Sequence, residues 1–332
     1  MPDLIDDRKT RLDPLAISLL VGCTALWGLA QVAAKVTLAE VPPLLQAALR
    51  SVGAMLLLLA WARWRGLALW QRDGTWRGGV LAGLLFGAEF ACIFIGLQYT
   101  SASRMAVFIY MAPFVVALGM PLLSRSERLS AQQLVGLAAA FCGVVWAFAE
   151  GFVAPAAGPK QWLGDALGLL AAVLWGLTTL TLRATALSRA LPEKTLLYQL
   201  GVSALALGAA SVAAGEVWPA RISAAAAWPL AFQTVVVTFA SYLVWFWLMR
   251  HYPATRLAAF TLLTPLFGLL AGVALLGEPV TPRLLVALAA VCVGIALVNL
   301  APARQHASTP AQRPTPALGE THPPPPTERT PQ

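Results

Sequence analysis

Long apolar runs separated by short polar connections make up most of the chain between Leu15 and Leu300. A helix needs about 20 mostly apolar residues to cross the hydrocarbon core of a bilayer, and ten runs reach or approach that length. Membrane-spanning strands would show alternating polarity, which runs such as MLLLLA (residues 55–60) lack. The pattern therefore predicts an all-α membrane protein with ten transmembrane helices. They lie at about Leu15–Val36, Leu44–Trp61, Val80–Gln98, Met105–Leu123, Gln132–Ala149, Leu163–Leu187, Thr195–Ala214, Trp228–Met249, Leu257–Leu276 and Arg283–Leu300.

The composition supports the same class. Of the 332 residues, 58% are hydrophobic and 11% are charged, whereas soluble domains have roughly 45–50% and about 25%. Mean hydropathy is +0.71. A soluble globular protein is nearly excluded, because there is too little polar surface to keep the chain dissolved. The expected solvent is the lipid bilayer.

The positive charges predict the orientation. Cytoplasmic connections carry the excess of Lys and Arg, and sixteen of them lie in the N-terminal segment, the even-numbered connections and the C-terminal tail, against four in the odd-numbered connections. Both termini are therefore expected in the cytoplasm. The net charge is +8, but the basic residues form no stripe with interleaved aromatics, so no nucleic-acid partner is expected.

The two ends of the chain carry no predicted chemistry. Residues 1–14 are a polar N-terminal tail that leads into the first apolar run without a small-residue cleavage site, so we predict a spanning helix rather than a signal peptide. Residues 301–332 contain nine prolines and are expected to be a disordered tail. The four cysteines all fall in apolar runs and are interpreted as small core residues.

The two halves of the chain are similar to each other. Trp27-Gly28 matches Trp175-Gly176 at an offset of 148, and the segment ending at Pro113 matches the one ending at Pro265 at an offset of 152. We predict two repeats, residues 15–150 and 163–300, joined by a linker at 151–162. Because each repeat has five predicted helices, the second must enter the membrane from the opposite side. Inverted repeats are a recurring architecture of secondary transporters.

The order and duplication of these motifs resemble a known family. The chain resembles the EamA family of the drug/metabolite transporter superfamily in four motifs. They are the W-G start with a lysine eight residues after the tryptophan, the run LRSVGAMLLLLAW, the YTSAS segment before Pro113, and the GEPVT bend before the last helix. The resemblance implies ten helices and residence in a bacterial inner membrane. It also implies, in many members, ion- or proton-coupled export of amino acids, metabolites or drugs.

Polar residues inside the apolar runs are the candidate substrate contacts. Two equivalent stripes are expected to face a cavity between the halves, since polar groups are costly against lipid. They consist of Trp27, Gln31 and Lys35 in the first half and of Trp175, Thr179 and Arg183 in the second. The alternative is that Lys35 and Arg183, each near a helix end, extend to the lipid head groups.

Two further charged residues lie deeper. Arg50 lies too deep in the second helix to reach the head groups easily, and is expected to bind a carbonyl, an acid or an anionic solute group. Glu89 lies at the middle of the third helix, where it is the candidate proton-coupling residue; the alternative is a structural hydrogen bond. Its counterpart in the second half is Ser241. Tyr110, Tyr242 and Trp245 lie at similar depth and are expected to line the cavity with Trp27 and Trp175.

Small residues and prolines have structural interpretations. The stripe Gly79, Gly83 and Gly87 predicts close helix packing rather than substrate contact. Pro113 and Pro265 are expected to mark kinks or hinges.

The sequence therefore predicts a secondary transporter that exports a small metabolite, amino acid or drug. An importer or a carrier of sugar nucleotides or lipids is the alternative in the same class, and a membrane enzyme or a non-transporting scaffold is less favoured. No phosphate-binding loop or metal-ligand cluster is present in the sequence, so no cofactor and no metal are expected. The expected partners are a small-molecule substrate and the bilayer, and a homodimer is left open.

The predicted orientation can be tested by labelling single cysteines from outside intact spheroplasts. Lys160→Cys lies in a connection expected to face out, and Asp73→Cys lies in one expected to face the cytoplasm. An impermeant maleimide should label position 160 and leave position 73 unlabelled until the membrane is permeabilised. Labelling at 73 but not at 160 would reverse the orientation.

Overall fold

In the part of the chain that the structure describes, eight helical segments are long and apolar enough to cross a membrane, and further apolar helices lie near the C-terminus. The computed structural model describes residues 13–123, 131–252, 260–261 and 263–300, and within them all regular structure is helical, with no strand. The all-α prediction is confirmed for this part of the chain. Because eight such segments lie within the described residues, the count of ten crossings stays a prediction.

Several predicted features lie outside the described residues. They are most of the N-terminal tail, the connection at 124–130 after the fourth predicted run, the start of the ninth predicted run near Leu257, and the Pro-rich tail from Ala301. Described helices are α1 (Pro14–Thr37), α2 (Pro43–Trp64), α3 (Trp76–Gly96), α4 (Ala102–Ile109), α5 (Ala112–Leu123), α6 (Ala131–Val153), α7 (Gln161–Ala184), α8 (Pro192–Ala213), α9 (Ala224–Ala231), α10 (Tyr242–His251), α11 (Leu263–Leu276) and α12 (Pro282–Leu300).

Proline and glycine set the limits of several helices. Pro14, Pro43 and Pro192 are the first residues of α1, α2 and α8, where the missing N–H has no partner in the helix in any case. Gly66 and Gly215 follow the ends of α2 and α8 with φ of 63° and 69°, a left-handed conformation that glycine adopts without steric cost. Equivalent local signals thus delimit the second helix of each half.

The fourth predicted run is divided into two helices. The chain leaves helical geometry at Tyr110 and Met111, between α4 and α5. Pro113 lies in the first turn of α5, and Pro265 lies in the first turn of α11. The break before Pro113 lies inside one apolar segment and agrees with the kink expected there. The role of the two prolines as hinges stays a prediction.

A π-helical segment, Phe232–Ser241, connects α9 to α10. The apolar run from Trp228 predicted one continuous α-helix there. π-Helical turns are rare and occur mostly at functional sites, because the wider turn changes the direction in which side chains point. Since the third helix of the first half is a regular α-helix, the two halves differ at this point.

Helices of the two halves pack directly against each other. Neighbouring pairs include α3 with α7 and α8, α2 with α8, α1 with α11, and α6 with α12. Residues up to Ala301 form one compact unit as a result. The repeats are therefore intertwined in space, although the sequence separates them.

The glycine stripe on α3 lies against α8, as the packing interpretation predicted. A methyl group at Gly83 would lie 2.6 Å from Cβ of Val202, and one at Gly87 would lie 3.3 Å from Cα of Ser203. These separations leave no room for a larger side chain. Elsewhere, large apolar side chains such as Leu122 and Leu205 are 87% and 78% exposed, which fits a surface that faces lipid. Cys142 is also exposed, which corrects its assignment to the core.

Three carboxylates connect the halves at one end of the bundle. Glu216 accepts hydrogen bonds from two backbone N–H groups in the first turn of α2, at 3.0 and 2.8 Å. Glu278 accepts two from the first turn of α4, at 2.7 and 2.9 Å. Glu40 accepts one at 2.7 Å from Ser223, immediately before α9. Each carboxylate caps a helix of the other half, where the helix dipole favours negative charge.

Close packing between α1 and α11 predicts a strong effect of a single methyl group. A methyl group at Gly28 would lie 2.6 Å from the backbone nitrogen of Gly268, whereas one at Gly22, also on α1, would have no atom within 4 Å. We expect Gly28→Ala to lower the free energy of unfolding by about 1–3 kcal/mol and Gly22→Ala to leave it nearly unchanged. Thermal unfolding of both variants in the same detergent measures this. Equal midpoints would show that α1 and α11 do not approach as closely as described.

Candidate functional site

A buried arginine with unused hydrogen-bond donors lies at the middle of the bundle. Arg50 on α2 is 4% exposed, and its Nη1 donates to Thr238 Oγ1 at 3.2 Å. Its guanidinium lies 3.6 Å from the centre of the Phe90 ring on α3. Nε and Nη2 have no hydrogen-bond partner. These two donors form the planar edge of guanidinium that binds a carboxylate through two parallel hydrogen bonds.

Glu89 on α3 supplies an acceptor close to this arginine. The residue is 5% exposed, and its Oε2 has no hydrogen-bond partner. The charges of Glu89 and Arg50 act on each other, but the described residues show no ion pair between them. Sequence analysis left open a direct pairing of the two groups, and the structure does not form it. A carboxyl and a guanidinium group are thus both available to a third group.

Aromatic side chains form one wall beside these charges. Trp27 on α1 donates from Nε1 to Ser241 Oγ at 2.8 Å. Its ring lies 5.2 Å from Trp245 in an edge-on arrangement and 6.3 Å from Tyr242. Tyr242 also interacts electrostatically with Arg50. Trp27, Ser241, Tyr242 and Trp245 are therefore neighbours, as their predicted depth suggested. The π-helical segment carries Ser241 and also Thr238, the partner of Arg50.

A second aromatic pair extends the site toward α7. Tyr110, at the break between α4 and α5, lies edge-on to Trp175 with ring centres 5.5 Å apart. Gln31 on α1 adds a buried Oε1 without a partner. Thr179 instead donates to the carbonyl of Trp175 at 3.1 Å, so its hydroxyl serves its own helix.

Lys35 and Arg183 do not join this central group, contrary to the expectation that each stripe lines one cavity. Eight residues along a helix correspond to about 12 Å, which carries each cation toward a helix end. Lys35 donates to the carbonyl of Leu97 at 3.3 Å and to that of Thr100. Arg183 is exposed and contacts the sulfur of Met120 at 3.9 Å. The arginine thus fits the alternative interpretation, whereas the lysine caps the end of α3.

Lys35 lines a separate cavity of about 360 Å³ at the end of the bundle where the three carboxylates lie. We call it the Lys35 cavity. Its polar lining consists of Lys35, Ser101, Arg104, Gln161, Glu278 and Thr281, and its apolar lining includes Val36, Leu276 and Leu284. In the predicted topology this end faces outward.

Arg104 is the centre of a buried ionic cluster beside that cavity. Its Nη1 lies 2.7 Å from Glu150 and its Nη2 lies 2.6 Å from Asp165. Nη2 also donates to the carbonyl of Ala147 at 2.6 Å, and Thr100 donates to Asp165 at 2.6 Å. The cluster joins α4 to α6 and α7 with its polar groups satisfied.

The hydrophobic pattern does not predict this cluster, because the fourth predicted run begins at Met105 and leaves Arg104 in the connection before it. The residue lies instead in α4 and is 4% exposed. A signal was present, since Asp165 falls within an apolar run where an unpaired acid would be costly. Thr238 and Gln161 were also missed, and no local pattern distinguishes these two from other polar residues. Within the described residues, no group of three His, Cys, Asp or Glu side chains could hold a metal ion.

The connection before α3 carries a separate ion pair. Asp73 lies 2.8 Å from Lys194 on α8, and hydrogen bonds from Lys194 and Thr75 lower the pKa of Asp73 to about 2. Because the pKa is lowered by folding, this contribution to stability is complete above the ordinary carboxyl pKa and is lost as the pH falls toward 2. Hydrogen bonds from Ser223 likewise lower the pKa of Glu40.

Apolar helices with lipid-facing side chains define a multi-pass membrane protein. The EamA-like transporter family matches the chain twice, over residues 14–149 and 162–300. The chain belongs to that family, which confirms the resemblance seen in its motifs.

Individual relatives agree with this class. "Uncharacterized transporter YvbV" of Bacillus subtilis (strain 168) is 29% identical over 300 residues, covering 88% of this chain and 92% of the relative. "Uncharacterized protein PA1977" of Pseudomonas aeruginosa is 33% identical over 258 residues, covering 77% and 83%. A solved crystal structure, at 21% identity, has a TM-score of 0.60 and covers 85% of this chain and 96% of that one. This last likeness shows the fold alone.

The ionic cluster predicts unequal effects of one chemical change at two aspartates. Asp165 has 0% exposure, and Asp165→Asn would leave Arg104 with less negative charge in a buried site, at a cost of about 3–5 kcal/mol. The Asp73 side chain is 37% exposed, so Asp73→Asn should have a small effect, since water screens that pair. Thermal unfolding at neutral pH compares them. An equal loss at both positions would argue against a buried cluster.

Proposed function

We propose that this chain is a secondary transporter of a bacterial inner membrane that exports a small metabolite, amino acid or drug. Two inverted five-helix repeats, with ten crossings and both termini in the cytoplasm, would alternate access to the site around Arg50 and Glu89. One observation carries the proposal: Arg50 and Glu89 are buried side by side, and each keeps polar atoms without a partner. Buried unsatisfied groups are costly, so their retention fits groups that are satisfied by a solute or a proton.

The site offers complementary places for a zwitterionic or amphipathic solute. The free edge of Arg50 accepts an anionic group, and the carboxyl of Glu89 accepts an ammonium group or a proton. Trp27, Tyr242 and Trp245 provide surface for an apolar body. The order in which solute and proton bind follows from the single charge of Glu89. Solute and proton cannot both occupy Glu89, so solute leaves the site when Glu89 takes up a proton from outside.

The importer alternative is distinguished by the sign of this coupling. If the solute contacts Arg50 alone, its negative charge favours a proton on Glu89, and solute and proton bind together. Inward transport driven by the proton gradient would then follow. Competition between proton and solute supports export, and mutual enhancement supports import. A scaffold or an enzyme predicts no solute flux at all.

The solute can be identified by comparing metabolites in cells and medium with and without the gene. An exporter predicts that one compound accumulates inside the deletion strain and falls in its medium. Depletion inside the cells would instead favour the importer.

Glu89→Gln should abolish proton-coupled transport of that compound while leaving its binding measurable. The amide keeps the shape but cannot titrate, so flux into liposomes driven by a pH gradient should fall to the level of empty liposomes. Asp73→Asn, which removes a carboxyl from an exposed connection and should have a small effect on stability, is the control and should retain flux. Unchanged coupling in Glu89→Gln would leave this carboxyl with a structural role.

Arg50→Met should weaken binding of the same compound about tenfold or more, because hydrogen bonds to charged groups contribute roughly 1.5–3 kcal/mol each. Quenching of tryptophan fluorescence measures the affinity, since several tryptophans lie at the site. Full affinity in Arg50→Met would place the solute elsewhere.

A further inference from the structure

We propose that the Lys35 cavity is a second solute-binding site, which takes a small carboxylate with an apolar body. The cavity is separate from the site around Arg50 and lies at the end of the bundle predicted to face outward. The inference rests on the proposed function for the role of this site, which is to hold solute outside the central site. Binding of a carboxylate in this cavity can be tested separately from transport.

The size of the cavity fits a small molecule. Its volume is about 360 Å³, many times the roughly 30 Å³ that one water molecule occupies in the liquid. It lies at the lower end of the range of about 300–1,000 Å³ that is typical of ligand pockets. Val36, Leu276, Leu284 and two alanines supply apolar contacts. The cavity is therefore suited to a solute rather than to a single bridging water.

An unsatisfied donor points to the chemistry of the ligand. Gln161 lines the cavity and is 1% exposed, and its Nε2 has no hydrogen-bond partner. Its Oε1 accepts from the backbone N–H of Ala157 at 2.7 Å, which fixes the amide with the nitrogen as the unused group. A buried amide nitrogen without an acceptor is costly, so an acceptor on a ligand would stabilise it.

Lys35 supplies a second donor and the positive charge. An ammonium group has three N–H donors, and the carbonyls of Leu97 and Thr100 account for two of them. Neither carbonyl neutralises the charge. A carboxylate would satisfy the remaining Lys35 donor and the Gln161 amide together, and charge-assisted hydrogen bonds are the stronger kind.

The other polar groups of the wall are already used. Both oxygens of Glu278 accept hydrogen bonds from the start of α4, and Arg104 is paired with two carboxylates. Glu278 carries a negative charge that acts on Lys35, so it opposes an anion on its own side of the cavity. The unused donors of Lys35 and Gln161 therefore select for an acceptor group rather than for a donor.

The test measures binding of para-fluorophenylacetate to the full-length protein in lipid nanodiscs by fluorine NMR, without a gradient. Gln161→Glu keeps the size and the accepting oxygen but replaces the donor by a negative charge. We expect it to weaken binding at this site about tenfold or more. Gln132→Glu makes the same change at an exposed glutamine of α6 and should bind as the wild type does. Equal affinity in Gln161→Glu and the wild type would overturn the proposal.

Two further measurements make the result specific. Lys35→Met should weaken binding in the same way, and Arg183→Met, at the equivalent position of the second half, should not. The uncharged para-fluorophenylacetamide should bind at least about tenfold more weakly than the carboxylate; equal binding would overturn the assignment to an anion. Thermal unfolding shows whether each variant is folded. If Lys35→Met is unfolded, Gln161→Glu alone decides.

The arginine variant separates this proposal from the proposed function. Binding that depends on Gln161 and persists in Arg50→Met supports a second site. A protein that shows this binding but moves no solute would refute transport alone. A protein that transports solute but whose probe binding is abolished by Arg50→Met and insensitive to Gln161→Glu would refute the second site alone.

Discussion

The constraint on which this structure depends is that a bilayer offers no water to its polar groups. Each charge placed among the helices therefore needs a partner from the protein. Glu216 and Glu278 meet this need by capping helices of the opposite half, where unpaired N–H groups and the helix dipole favour a carboxylate, and the exposed Glu40 does the same at α9. The same contacts hold the two halves together at one end. The same hydrogen bonds therefore satisfy the N–H groups at the helix ends and hold the bundle together.

Two arginines show where the rule is obeyed and where it is not. Arg50 and Arg104 are both 4% exposed. Arg104 is surrounded by two carboxylates and a carbonyl, and it joins three helices. Arg50 has one hydrogen bond to a hydroxyl and an aromatic ring beneath it. Burial is therefore equal but pairing is not: Arg104 has the environment of a structural residue, whereas Arg50 keeps two donors without a partner.

The halves share a pattern but differ in chemistry. Lys35 caps a helix end beside a cavity, whereas its counterpart Arg183 is exposed. Glu89 lies on a regular α-helix, whereas its counterpart Ser241 ends a π-helical segment and accepts from Trp27. Duplication of the fold therefore preserves where helices start and stop, while each half contributes different groups to the centre.

The sequence by itself determined the helical class, the membrane environment, the family and the depth of the central residues. These features follow from the length and hydrophobicity of each run and from the cost of polar groups in lipid. Both depend only on residues within the same run. The sequence placed Trp27 and Glu89 well inside their helices and Arg50 about seven residues into the second helix, where the structure also has them. Only the tertiary structure decided that Arg104 is buried, that Lys35 belongs to another cavity, and that residues 232–241 form a π-helix. Those outcomes depend on which helices meet and at what rotation, and that information is carried by packing between distant segments rather than by any one segment.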